Sequence, residues 1–143
     1  MPSLDLILAN QPGERQRLVT ALAAFAKEHH LPASVLNAAD LALEELLTNV
    51  WSYGYAVPGP HQVQIRLSIV DNHFEIEVKD NGCPFNPLQM PEVDTTIPLD
   101  RKPIGGLGIH LMRRFMDELH YQRKGDKNVL RMRKRLDKPP VPS

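Results

Sequence analysis

Three short stretches carry polar residues or glycines where packing alone does not ask for them. In Leu41-Ala42-Leu43-Glu44-Glu45-Leu46-Leu47-Thr48-Asn49-Val50-Trp51, Glu45 and Asn49 fall four positions apart. Apolar residues recur at Leu36, Ala39, Leu43, Leu46, Leu47 and Val50, the three-and-four spacing of a buried helical stripe. At about 100° per residue, Glu45 and Asn49 lie opposite that stripe, beside Ala38, Leu41 and Ala42. Glu44 falls elsewhere, with Asn37, Asp40 and Thr48, on a side that reads as solvated. The helix is then covered on two sides, and Glu45 and Asn49 face a partly enclosed space. A buried carboxylate is costly unless it is paired or used. The alternative is a wet face bearing an ordinary surface Glu and Asn. The second stretch is Asp80-Asn81-Gly82, where a carboxylate continues the inward phase of Phe74, Ile76 and Val78; the alternative ends the strand at Lys79 and makes Asp80 part of a polar turn. The third is Gly105-Gly106-Leu107-Gly108 before a helical pattern. Glycines there admit a ligand close to the backbone, and the free amides of a first helical turn attract anions.

These stretches sit on a simple series of elements. Alternating Leu4, Leu6 and Leu8 predict a strand. Asn10-Gln11-Pro12-Gly13 is a turn, with Asn10 a candidate helix cap, and a helix is expected from about Glu14 to His30 with Leu18, Leu22, Phe25 and Ala26 inward. Its first turn holds Arg15 and Arg17, against the dipole preference for acidic groups at that end. Pro32 opens a second helix running to about Tyr53, and the prolines and glycines of 54–60 make a loop. Two alternating runs, 61–70 and 74–80, meet at the hairpin signal Asp71-Asn72 and predict antiparallel strands with one wet face. From Cys83 to Ile104 no period is visible, and five prolines forbid a long regular element. A stretch of that kind within a domain reads as a functional lid or a disordered segment. After the glycines, Ile109, Met112, Phe115, Met116 and Leu119 predict a helix, followed by strands near 119–123 and 128–132 and a Pro-rich tail, 137–143.

The chain has 143 residues, suited to one domain, 1–136, with a real core. Lys+Arg and Asp+Glu number 17 each, so charge balance gives no support to nucleic-acid or anionic-membrane binding. The single cysteine, Cys83, excludes an internal disulfide and a multi-cysteine metal site and fits a reducing, cytoplasmic compartment. No apolar run is long enough to span a bilayer, and the N-terminus lacks a signal-peptide pattern. The P-loop and dinucleotide-binding glycine patterns are absent.

Each stretch alone is a weak signal; their order is what carries weight. Glu45-Leu46-Leu47-Thr48-Asn49, then Asp80-Asn81-Gly82, then Gly105-Gly106-Leu107-Gly108 resembles the N, G1 and G2 boxes of the GHKL (Bergerat-fold) ATP-binding domain. The likeness runs from about Leu4 to Leu136, and Leu111 to Leu119 is similar to the helix after the G2 box in the small stand-alone serine kinases that act as anti-sigma factors. The resemblance implies an α+β two-layer sandwich, with a mixed, mainly antiparallel sheet and helices on one face. It implies ATP as ligand, Mg²⁺ bound through Asn49, Glu45 as general base or orienting group for a protein hydroxyl, and Asp80 as acceptor for the adenine amino group. Gly82 would let adenine pack on the backbone, and Gly105, Gly106, Leu107 and Gly108 would hold phosphates. The lid would span about 83–104, with Arg101 or Lys102 reaching the γ-phosphate. Arg15 or Arg17 would contact a partner protein. Where many members carry a threonine that helps bind adenine, Asn128 stands as a substitute.

The function implied is that of a serine/threonine kinase phosphorylating a STAS-domain anti-anti-sigma partner, with capacity to hold a sigma factor, and a homodimer. Two alternatives remain from the sequence: a non-catalytic ATP-binding switch that sequesters a regulator, and an ATPase module of the repair or chaperone type. Retention of Glu45 favours the kinase, since nucleotide binding alone needs no base.

Overall fold

A computed structural model of the chain describes residues 2–9, 11, 13–53, 61–82, 113–114 and 116–136, with backbone alone for 49–53. The proposed lid, Arg101, Lys102, the 105–108 glycine run, Cys83 and the 137–143 tail lie outside the described residues, as does the side chain of Asn49.

The elements run β1 (Ser3–Ala9), α1 (Glu14–Glu28), α2 (Ala33–Tyr53), β2 (Gln62–Val70), β3 (His73–Asp80), β4 (Glu118–Lys124) and β5 (Lys127–Arg135). The five strands form one sheet in the order β1-β2-β3-β5-β4, every neighbouring pair antiparallel. No parallel pair occurs among the described strands, so the expected mixed character is not seen there. Asp71 and Asn72 turn the β2–β3 hairpin with φ of 49° and 60°, the left-handed pair that a two-residue turn of this kind demands and that Asp and Asn tolerate.

Side chains alternate between the two faces, although Ser68 and Val129 are buried on the second face. One face presents Leu4, Leu6, Leu8, Val63, Ile65, Leu67, Phe74, Ile76, Val78, Leu130 and Met132, and against it pack Leu18, Leu22 and Phe25 of α1 and Val35, Ala39, Leu43, Leu46 and Leu47 of α2. Phe25 meets Phe74 across the two layers with ring centroids 5.9 Å apart. The opposite face is wet and alternates charge from strand to strand: Asp5, Arg66, Glu77 and Arg131 stand side by side, and Arg131 and Arg133 both reach Glu75 at 3.1 Å. Opposite charges on neighbouring strands support the register.

Three local expectations are corrected. The residue capping α1 is Gly13, whose φ of 90° suits glycine, and no side chain caps the helix there. The same helix ends at Glu28 because His29 and the left-handed His30 (φ 56°) turn the chain, and Leu31 N–H closes on Ala26 O at 2.9 Å. Glu118 and Leu119 belong to β4, not to the helix after the glycines: Asp117 N–H already donates to Arg133 O at 2.9 Å, so sheet pairing takes over before the helical spacing runs out. Among the described residues no helix is long and apolar enough to cross a membrane.

Candidate functional site

The sheet's inner face changes character at one end. Its successive rows across the strands are Leu4–Leu67–Ile76–Met132–Leu119, then Leu6–Ile65–Val78–Leu130–Tyr121, then Leu8–Val63–Asp80–Asn128–Arg123. The last row is the candidate site. Asp80 remains in β3, on the inward phase and 7% exposed, so the strand reading holds and the polar-turn reading does not.

A closed ring of hydrogen bonds fixes that row. Asp80 Oδ1 accepts from Gly82 N–H at 2.9 Å and from Asn128 Nδ2 at 3.0 Å. Asn128 Oδ1 accepts from Tyr121 O–H at 2.5 Å and from Arg123 Nη1 at 3.2 Å. Arg123 Nη1 also donates to Gly82 O at 2.7 Å, which closes the circuit. Asn128 is 5% exposed, so its partners matter: a buried amide left unmatched is costly. Asp80 Oδ2 accepts from no described residue, leaving one carboxylate oxygen to receive a donor from a ligand.

On the helical layer, Glu45 is half-buried with Oε1 shut off from solvent, while its neighbour Glu44 is exposed. The expected cover on Glu45's side of α2 is partial: Ala38 and Ala42 are buried, while Leu41, 47% exposed, stands open to solvent.

The arginines of α1 have local work. Arg17 donates to Ile7 O at 2.5 Å and to Glu14 Oε2 at 2.9 Å, and Glu14 Oε1 accepts from Ala9 N–H at 3.1 Å. Together they cover the edge of β1 that β2 leaves open, which explains arginine in a first helical turn: its partner is a strand edge, not the helix dipole. Arg15 donates instead to Thr48 Oγ1 at 2.7 Å, and Thr48 back-bonds to Glu44 O at 2.9 Å. Between these helices runs a shallow groove lined by Leu18, Val19, Asp40, Leu43 and Glu44. Burial, helped by the Glu44 charge one turn on, holds the Asp40 carboxyl above its usual 3.8.

Of the residues singled out in the sequence, the fold brings Asp80, Gly82 and Asn128 together and puts Glu45 on the helical layer. Sequence reasoning missed Tyr121 and Arg123. The signal was present, since both continue the inward phase of Leu119, but a polar inward pair on an edge strand has no meaning until Asn128 is opposite. No cluster of three or more metal-ligating side chains occurs among the described residues.

Fold and site together define an α+β two-layer sandwich of the GHKL type, helices on one face of an antiparallel sheet and a buried aspartate at the end of a central strand. The chain belongs to the histidine kinase-like ATPase domain family, whose family model matches residues 8–134. It is 31% identical over 90 residues to the serine/threonine-protein kinase BtrW of Bordetella bronchiseptica, a match covering 63% of this chain and 63% of that protein. It is 32% identical over 87 residues to the serine-protein kinase RsbW of Bacillus licheniformis, covering 57% of this chain and 54% of that protein. The matched stretch thus spans less than two thirds of the length of either relative. In fold it is similar to the crystal structure of the RsbU and RsbW domains of a Mycobacterium tuberculosis protein, with a TM-score of 0.65 at 16% identity, covering 97% of this chain and 33% of that one.

Proposed function

We propose that the chain is an ATP- and Mg²⁺-dependent protein serine/threonine kinase of the anti-sigma-factor type. Its substrate would be a serine or threonine of a STAS-domain anti-anti-sigma protein, and the same surface would serve to hold a sigma factor. The observation that carries this reading is Glu45. A half-buried carboxylate, one helical turn before Asn49, suits proton abstraction and is not required by nucleotide binding alone.

In this reading Asp80 accepts the adenine amino group and Gly82 offers backbone for the ring to pack on. Gly105, Gly106, Leu107 and Gly108 cradle the phosphates, and Arg101 or Lys102 meets the γ-phosphate as the 83–104 segment covers it. Asn49 is an oxygen donor of the kind Mg²⁺ takes, and the ion would supply charge neutralisation on the phosphates. Glu45 takes the proton of the partner's hydroxyl; that oxygen forms a bond to the γ-phosphorus, the bond to the β–γ bridging oxygen breaks, and ADP leaves. Arg15, which donates to Thr48, and Arg17, which donates to Ile7 and Glu14, are the two candidate partner arginines. A cytoplasmic homodimer completes the proposal.

The test is incubation with γ-labelled ATP, Mg²⁺ and a panel of STAS-domain proteins. Label on one partner with the wild-type chain, and none with Glu45→Ala or Asn49→Ala, is the expected result. ATP binding without transfer to any partner would leave only the non-catalytic switch.

A further inference from the structure

The hydrogen-bond ring around Asp80 has a direction, and the direction is set by one residue. A guanidinium can only donate. Arg123 Nη1, 3.2 Å from the Asn128 amide, therefore forces the oxygen of that amide to face β4. The amide nitrogen must then face β3, where it donates to Asp80 Oδ1 at 3.0 Å. Gly82 N–H donates to the same oxygen, and Arg123 holds Gly82 O at 2.7 Å, so the turn after β3 cannot swing its amide away. Asp80 is thereby fixed as an acceptor, with Oδ1 filled and Oδ2 presented. Tyr121 O–H adds to the Asn128 oxygen, but a hydroxyl can donate or accept and does not itself choose the orientation.

We infer that Arg123 and Asn128 are positioning residues that make this site select a 6-amino purine over a 6-oxo purine. The inference rests on the proposed nucleotide role of Asp80. It assigns Asn128 a different part from that of a direct adenine ligand: both ends of its amide are committed to Asp80 on one side and to Tyr121 and Arg123 on the other. A 6-amino group donates to Asp80 Oδ2. A 6-oxo group sets oxygen against oxygen at the same point. Without Arg123 the amide of Asn128 can reverse and set its oxygen against Asp80 Oδ1; that repulsion turns the carboxylate, and Oδ2 is no longer held where a 6-amino group would donate to it.

ADP and inosine diphosphate differ only in the 6-substituent and the N1 proton that accompanies the 6-oxo form, and are the probes. Calorimetric titration of the wild-type chain is expected to favour ADP by roughly 10- to 150-fold, the worth of one hydrogen bond to a charged group. In Arg123→Met the preference falls about tenfold, chiefly through the loss for ADP. Arg123→Gln, which keeps a polar side chain able to accept as well as donate, reproduces the fall if Arg123→Met folds poorly. Tyr121→Phe keeps the preference within about twofold, because the donor-only group remains. Equal weakening of both nucleotides in the Arg123 variants, or a collapse of selectivity in Tyr121→Phe equal to theirs, would overturn the inference and leave the ring a structural clamp. A wild-type chain that binds neither nucleotide overturns the nucleotide reading itself, and the inference with it.

Discussion

Arg17→Met removes the guanidinium from the edge of β1 while keeping an aliphatic stem of similar length. Two contacts go: the bond to Ile7 O at 2.5 Å and the ion pair with Glu14 at 2.9 Å. A hydrogen bond from a charged donor contributes about 1.5–3 kcal/mol when shielded. The Arg17 side chain is 48% exposed, so water replaces part of it, and about 1 kcal/mol is the fitting figure. The pair with Glu14, three residues away on a helix surface, adds about 0.2–0.5 kcal/mol. The total is about 1–1.5 kcal/mol, or about 3–5 °C in Tm for a domain of this size. Urea unfolding at neutral pH and low salt measures it. Glu14→Gln should cost less, because its amide oxygen can still accept from Ala9 N–H, and the double variant should fall short of the sum, since the two side chains touch. A change in Tm below about 1 °C for Arg17→Met, together with loss of partner binding, would refute the edge-cover role and return Arg17 to the partner surface.

The other predictions concern the site and α2. Asp80→Asn should weaken ATP binding at least tenfold (about 1.4 kcal/mol) while changing GTP less, by titration of both; equal losses would remove the aspartate's role in base choice. Glu44→Gln should leave melting and ATP affinity within about 0.5 kcal/mol of wild type, because the side chain is exposed and makes no ion pair among the described residues. Asp40→Asn should stabilise the chain at neutral pH by about 0.2–0.5 kcal/mol, by removing a charge that is partly desolvated and lies one turn from the like charge of Glu44. The sign follows from linkage. Asp40 has a folded pKa above its usual 3.8, so the wild type is penalised when Asp40 is ionised and recovers as pH falls through the folded value. The advantage of the variant, read by thermal melts from pH 7 to 3, should therefore shrink on acidification and be gone below 3.8.

Much of this architecture follows from period alone. Strict alternation over 61–70 and 74–80 fixes which side chains face the core, and carrying the phase one step further places Asp80 inward at the end of its strand. The two glutamates of α2 separate by the same reasoning, Glu44 outward and Glu45 toward the enclosed side. Leu119 marks the limit. It satisfies a helical spacing from Met112, Phe115 and Met116 and a strand spacing to Tyr121 and Arg123, and only the pairing with Met132 decides between them. Arg17 and Arg123 were illegible for a related reason. Each finds its acceptor on a backbone carbonyl of another element, Ile7 O and Gly82 O, and a carbonyl has no residue type to betray it in a sequence. Asn128 stood out by position, but its partner was knowable only once β3 and β5 were known to lie side by side with Asp80 opposite Asn128.

The central claim is that Glu45 acts in phosphoryl transfer and not in holding ATP. Single-turnover transfer from ATP to the cognate STAS partner, measured beside the ATP dissociation constant for wild type and Glu45→Gln, tests it most directly. The account predicts a rate lower by about 10²–10⁴-fold in the variant, the usual worth of a general base, with ATP affinity within about threefold of wild type. A variant that transfers phosphate at the wild-type rate, or one whose only defect is a matching loss of ATP affinity, would contradict it.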